Sequence, residues 1–227
     1  MVSYGLLSEI RINGAGSGDL AGVGGDTVNV DVKVSGPHWV TADRVELYAN
    51  GRLIREQEIP VRTGDDTSAT TPPTGIKWEG RWTIPRPAHD VHLVATAFGP
   101  GIDKPYWKTA KAYQPTSPVW RAHVIGCSGA LWLDCDGDGK KTAAREYARR
   151  LWEASEGDLS KLLSSLSGYD SAVAAHAADF FRKASGSLTD AATREAVRDA
   201  PPAARDGFRE YQAAWRATET ARSSSGE

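Results

Sequence analysis

The hydrophobic period of this chain changes once, near residue 140, and that change limits the folds open to it. From Asp26 apolar and polar residues alternate. Val28, Val30, Val32 and Val34 are separated by Asn29, Asp31 and Lys33, the pattern of a strand with one buried face. After Lys140 the spacing becomes three and four. Tyr147, Ala148, Leu151 and Trp152 share one helical face, as do Leu159, Leu162, Leu163 and Leu166. Val173, Ala177, Phe180, Phe181 and Ala184 mark a third helix, and Phe208, Tyr211 and Trp215 a later one. Each period suits one element type and misfits the other. The chain therefore reads as all-β in front and all-α behind.

Further strands are expected over Arg44–Asn50, Arg52–Ile59, Trp78–Ile84, Val91–Phe98, Val119–Ile125 and Ala130–Leu133. Asn50-Gly51 joins two of them, and that dipeptide accepts the positive φ of a tight hairpin turn. Thr63–Gly75 reads as a polar loop. Roughly seven short strands without intervening helices predict an antiparallel, immunoglobulin-like β-sandwich. The expected fold is thus α+β with segregated parts, the sandwich being followed by an α-helical C-terminal extension. Asp158 and Asp170 stand where helix N-caps belong, Gly157, Gly168 and Gly186 where helices break, and Pro201-Pro202 opens the last helix.

Three regions follow. Residues 1–25 form a glycine-rich leader or linker with a short strand over Ser8–Asn13. No GxxxxGK[ST] occurs there and no helical pattern opens after it, so the glycines read as turns rather than a phosphate loop. Residues 26–140 are the sandwich. Residues 141–227 are the helical extension, with disorder expected from Ser223 to Glu227. A formal charge of -2 and a pI near 6.2 give no electrostatic basis for a nucleic-acid or anionic-membrane partner. No apolar run approaches the ~20 residues of a membrane span. The first residues lack the basic start and apolar core of a signal peptide.

Between the β and α parts lies Leu133-Asp134-Cys135-Asp136-Gly137-Asp138-Gly139-Lys140. Alternate carboxylates in a tight loop can direct several oxygens at one hard cation, and calcium takes about six to eight such ligands. Asp134, Asp136 and Asp138 occupy the first, third and fifth positions of an EF-hand-like loop. Gly139 supplies the turn at the sixth, and Lys140 would offer its backbone carbonyl at the seventh. Arg145 stands at the twelfth position, where an EF-hand has its bidentate glutamate. Glu146 is one residue late and could swing in. The expected metal ligands are Asp134, Asp136, Asp138, Lys140 and Glu146, and the ion would be structural calcium. The competing reading is an acidic turn that caps the next helix, neutralised by Lys140, Lys141 and Arg145.

Other candidates are weaker. Of the histidines, His38, His89, His92, His123 and His176, only His89 and His92 are close in sequence. Three positions apart on a strand they face opposite sides, so they would not share a zinc ion. His176, among alanines, reads as a packing or surface residue. Cys127 and Cys135 could pair, although two free thiols are the simpler reading. No serine or cysteine has a nucleophile setting. Trp39, Trp78, Trp82, Trp107, Trp120 and Trp132 fall in the β region. Exposed, they could stack on sugar rings; buried, they fill the sandwich core.

An ordered series of motifs carries a family resemblance. It runs Gly99-Pro100-Gly101, Pro105-Tyr106-Trp107, Tyr113-Gln114-Pro115-Thr116-Ser117, Val124-Ile125-Gly126, then Leu131-Trp132-Leu133-Asp134 with Asp136-Gly137-Asp138-Gly139. The series resembles the C-terminal part of carbaryl-hydrolase-type (CehA/McbA) metallohydrolases of the polymerase-and-histidinol-phosphatase (PHP) superfamily. Val2-Ser3-Tyr4-Gly5-Leu6-Leu7, then Ile12-Asn13-Gly14, is similar to the end of that catalytic domain, and Tyr169-Asp170-Ser171-Ala172-Val173-Ala174 to the helices that follow its sandwich. Cys127 and Cys135 depart from the small residues expected at those places. The resemblance implies that catalysis belongs to an upstream metal barrel, none of whose ligand motifs occurs here. The expected function is a non-catalytic accessory region whose partner is the parent hydrolase's catalytic domain in cis. The alternative is a carbohydrate- or cell-surface-binding sandwich using exposed tryptophans.

Overall fold

The computed structural model describes residues 1–60, 75–103, 108–110, 121–184 and 186–224. Residues 63–74 of the expected polar loop, Trp107, Trp120, and the motif residues 105–106 and 113–117 lie outside the described residues. The chain divides into two compact units. The first comprises Met1–Pro87 and Val91–Lys141, the second Ala88–Asp90 and Thr142–Glu227.

The described residues of the first unit form two sheets. The smaller has three strands: β2 (Leu7–Arg11), β4 (Thr27–Ser35) and β7 (Ile76–Pro85), with β4 in the middle. The larger contains β1 (Val2–Tyr4), β3 (Leu20–Gly22), β5 (Arg44–Ala49), β6 (Arg52–Glu58), β8 (Val91–Pro100), β9 (His123–Cys127) and β10 (Leu131–Asp134). Its organising strand is β8. β5 pairs with the middle of β8, from Leu93 to Phe98. β10 takes the opposite edge at Val91–Leu93, and β9 takes it at Thr96–Pro100.

Alternation explains the core. Val28, Val30, Val32 and Val34 from the small sheet are buried together with Val45, Leu47, Leu93, Ala95, Leu131 and Leu133 from the large one. One cluster of aliphatic side chains thus lies between two sheets, which makes the unit a β-sandwich. Ser8, fully buried on β2, donates its hydroxyl to the Gly126 carbonyl at 2.8 Å, a polar tie between the sheets. The Asn50-Gly51 hairpin forms as expected, with φ of 47° and 83° at the two turn residues.

Two expectations change. The strands are not all antiparallel, because β10 pairs with β3 in parallel. No short turn links these two segments, so no hairpin fixes their mutual direction. Nor is the glycine-rich stretch 1–25 a leader with one strand. It carries β1, β2 and β3, and Leu6, Ile10 and Ile12 from it are fully buried in the sandwich core. The glycines obscured the apolar positions between them.

Among the described residues the second unit holds five helices: α1 (Ala144–Ser155), α2 (Leu159–Ser165), α3 (Ser171–Lys183), α4 (Ala191–Asp199) and α5 (Pro202–Ser224). Asp158 and Asp170 cap α2 and α3, accepting from Lys161 N and Val173 N, each at 3.0 Å. Such caps satisfy donors that the first helical turn leaves open. α3 packs against both α1 and α5, and Val173, Ala174, Ala177 and Phe208 are among the buried residues. α4 was not anticipated from the period, since few of its residues are apolar; Asp190 caps it through Thr193 N at 2.9 Å. α5 runs through Ser224, past the expected end of order at Arg222, and residues 225–227 lie outside the described residues.

Candidate cation-binding loop

β10 delivers Asp134 to the end of the sandwich, and the chain turns sharply over the next residues. Gly137 and Gly139 take φ of 77° and 72°, which a side chain would disfavour. That backbone folds four N–H groups towards the carboxylates. Gly137 N and Gly139 N donate to the two oxygens of Asp134, at 2.7 and 3.0 Å. Asp138 N donates to Asp136 Oδ1 at 3.2 Å, and Lys140 N to Asp138 Oδ1 at 2.8 Å. Asp134, Asp136 and Asp138 each place one oxygen within 4.8 Å of the others. Asp136 and Asp138 are exposed, so the loop is open to solvent.

Three carboxylates so close repel one another unless compensated. The backbone donors supply part of the compensation. Two of the three cationic side chains expected to help are committed elsewhere. Lys141 Nζ bonds the Gly18 carbonyl at 2.6 Å, and the Arg145 guanidinium bonds Asp179 at 3.2 Å. The capping reading also fails locally, because Ala143 is the N-cap of α1 and no side chain caps it. Carboxylate oxygens grouped in this way could hold a hard cation.

The remaining expected ligands fall out as follows. Lys140 closes the loop through its backbone N–H, as above. Glu146 lies on α1, and its oxygens are engaged by Arg149 at 2.6 Å and Arg150 at 3.2 Å. Hydrogen bonds from Arg149, then Arg150, lower its carboxyl pKa to about 2. Coordination by Glu146 would require breaking those pairs.

The other candidates resolve one by one. Cys127 and Cys135 are not joined in a disulfide, and Cys135 belongs to the sandwich core. His89 is buried in the second unit beside the rings of Tyr147 and Tyr169, with Nε2 3.4 Å from Asp170 Oδ2. His92 lies against Trp132, and His123 is exposed with Nδ1 at the Arg121 carbonyl. His176 is half-buried on α3, and burial, then the nearby Arg145 charge, lower its pKa. Trp78 and Trp82 sit opposite the buried Val34 and Val30, so both face inward from the edge strand β7. Their rings stack 5.2 Å apart over the intervening Gly80 and pack against the core.

Sequence reasoning missed a polar cluster around Asp179. This buried carboxylate accepts from Lys183 at 2.8 Å, Tyr211 at 2.9 Å and Arg145 at 3.2 Å. Burial pushes its pKa up, but the hydrogen bonds prevail and the net shift is downward. The signal was present only as a lone acid inside an apolar helical stripe.

No family model matches the chain, and no curated protein matches it. Among solved structures the chain is similar to the CARDB domain of a Pyrococcus furiosus protein, determined in solution by NMR. The identity is 16% and the TM-score 0.28, over 58% of this chain and 95% of that one. A likeness at that level carries no assignment.

Proposed function

We propose that this chain is a non-catalytic accessory region, an immunoglobulin-like sandwich with a helical extension, which holds a structural calcium ion in its acidic loop. The observation that carries the reading is the convergence of Asp134, Asp136 and Asp138 within 4.8 Å, in a loop whose neighbours Lys141 and Arg145 are bonded elsewhere. The ligands would be those three carboxylates and the Lys140 carbonyl. The motif series from Gly99 to Gly139 supports a PHP-type metal-dependent hydrolase as the parent, with the catalytic domain as partner in cis. The task of this region would be to support or position that domain. A sugar platform is less favoured. Trp78 and Trp82 face the core, and Trp107 lies outside the described residues.

Thermal melting with calcium and with chelator tests the ion. A ligand that binds only the native state must stabilise it, by about 2.7 kcal/mol at a hundredfold excess over Kd. For a chain of this size that is roughly 5–10 °C in Tm. Asp136→Ala should remove the calcium-dependent increment and leave the melting point in chelator nearly unchanged. Equal loss in both buffers would assign Asp136 a purely hydrogen-bonding role instead. The accessory role is tested by the reading frame upstream of Met1. A histidine-rich metal barrel there supports it, and turnover of a phosphoester, ester or amide by the purified chain at enzymatic rate refutes it.

A further inference from the structure

The helical unit contains a groove of about 510 Å³ between α4 and α5, within the usual size of small-ligand sites. Its floor is apolar, formed by Leu188, Val197 and Phe208, all members of the helical core or packed against it. Its rim carries three guanidinium groups, Arg194 and Arg198 one turn apart on α4 and Arg209 on α5. Gln212 fixes the approach to α4 by donating to the Leu188 carbonyl at 2.9 Å.

The charges on this rim are not balanced. Arg198 is paired with Glu195 at 3.1 Å and Asp199 at 3.0 Å. Among the described residues no carboxylate pairs with Arg194 or Arg209. The one acidic residue lining the groove, Glu195, is the one already bound to Arg198. Guanidinium groups present planar donor forks that fit carboxylate and phosphate oxygens, and charge-assisted bonds of this kind are the stronger ones. Two unmatched forks above an apolar floor define a ligand with an apolar body and an anionic head.

We infer that the α4–α5 groove binds a small amphipathic anion, such as an aryl or alkyl carboxylate or phosphate. The head group would bridge Arg194 and Arg209, and the body would lie on Val197 and Phe208. Neither the cation loop nor the accessory role enters this inference, and it stands or falls separately from them.

The test uses the full chain and naphthalene-2-carboxylate as probe, with naphthalene-2-carboxamide as its neutral counterpart, followed by amide chemical-shift titration. Saturable shifts confined to α4 and α5 are expected for the acid. The double variant Arg194→Gln/Arg209→Gln alters only exposed side chains and should bind the acid about tenfold more weakly or worse. The amide should bind the wild type no better than the acid binds the variant. Scattered or non-saturating shifts, equal binding of acid and amide, or unchanged affinity in the variant would each overturn the assignment. Saturation by inorganic phosphate alone at the same affinity would overturn the role given to the apolar floor.

Discussion

The two units of this chain are held together by different physics. In the sandwich, strands remote in sequence pair, as β3 does with β10, and the buried face is aliphatic. In the helical unit the contacts are more local, the core is smaller, and a charged group is drawn into it. Asp179 joins α1, α3 and α5 through Arg145, Lys183 and Tyr211. A sheet must find its partners by matching faces across the chain. A short helix forms locally and then needs an anchor to fix how it packs. The sandwich should therefore respond most to lost volume, and the helical unit should respond to lost polar partners and to pH.

The largest expected effect is in the sandwich. Leu93 is fully buried on β8, the strand that pairs with β5 and β10 at that residue. Leu93→Ala should cost about 2–5 kcal/mol, measured by denaturant unfolding. A loss well below 1 kcal/mol would break the contrast, since the core would then be tolerating a cavity. Next, Asp179→Asn keeps the volume and removes the charge. It should cost about 1–3 kcal/mol and loosen α5, seen as faster hydrogen exchange in that helix. An unaffected helix would mean that apolar packing alone holds it.

The smallest effect concerns acid. Glu146 and Asp179 both have carboxyl pKa values lowered by folding, from ordinary values of 4.5 and 3.8. Their contribution is fully present above those values and is lost as pH falls through the lowered ones. For Glu146 the window runs from 4.5 down to about 2. Helical circular dichroism should therefore weaken across that window, and Glu146→Gln should flatten the dependence slightly, because these ion pairs are exposed. A variant with an unchanged acid profile would remove Glu146 from the explanation.

Much of this architecture was legible in the sequence because its signals are periodic. The alternating valines of β4, the Asn50-Gly51 hairpin and the two aspartate caps each declare themselves within a few residues. β3 did not, since Leu20-Ala21-Gly22 is too short to show a period and its partner lies far along the chain. α4 was hidden because its sequence, Ala-Ala-Thr-Arg-Glu-Ala-Val-Arg-Asp, has too few apolar positions to reveal a face. The three aspartates of the loop were readable from spacing alone. That Glu146 is held by Arg149 and Arg150 was not, because competing i+3 and i+4 partners on a helix are visible only once the helix is drawn.

Calorimetric titration of the intact chain with calcium tests the central claim most directly. The account predicts saturable binding at a single site in the micromolar-to-millimolar range typical of about six-coordinate oxygen loops. The heat should be lost in Asp134→Asn, whose single amide oxygen would still accept one of the two hydrogen bonds that Gly137 and Gly139 donate to the carboxylate. No heat of binding in the wild type, or equal heat in Asp134→Asn, would contradict it.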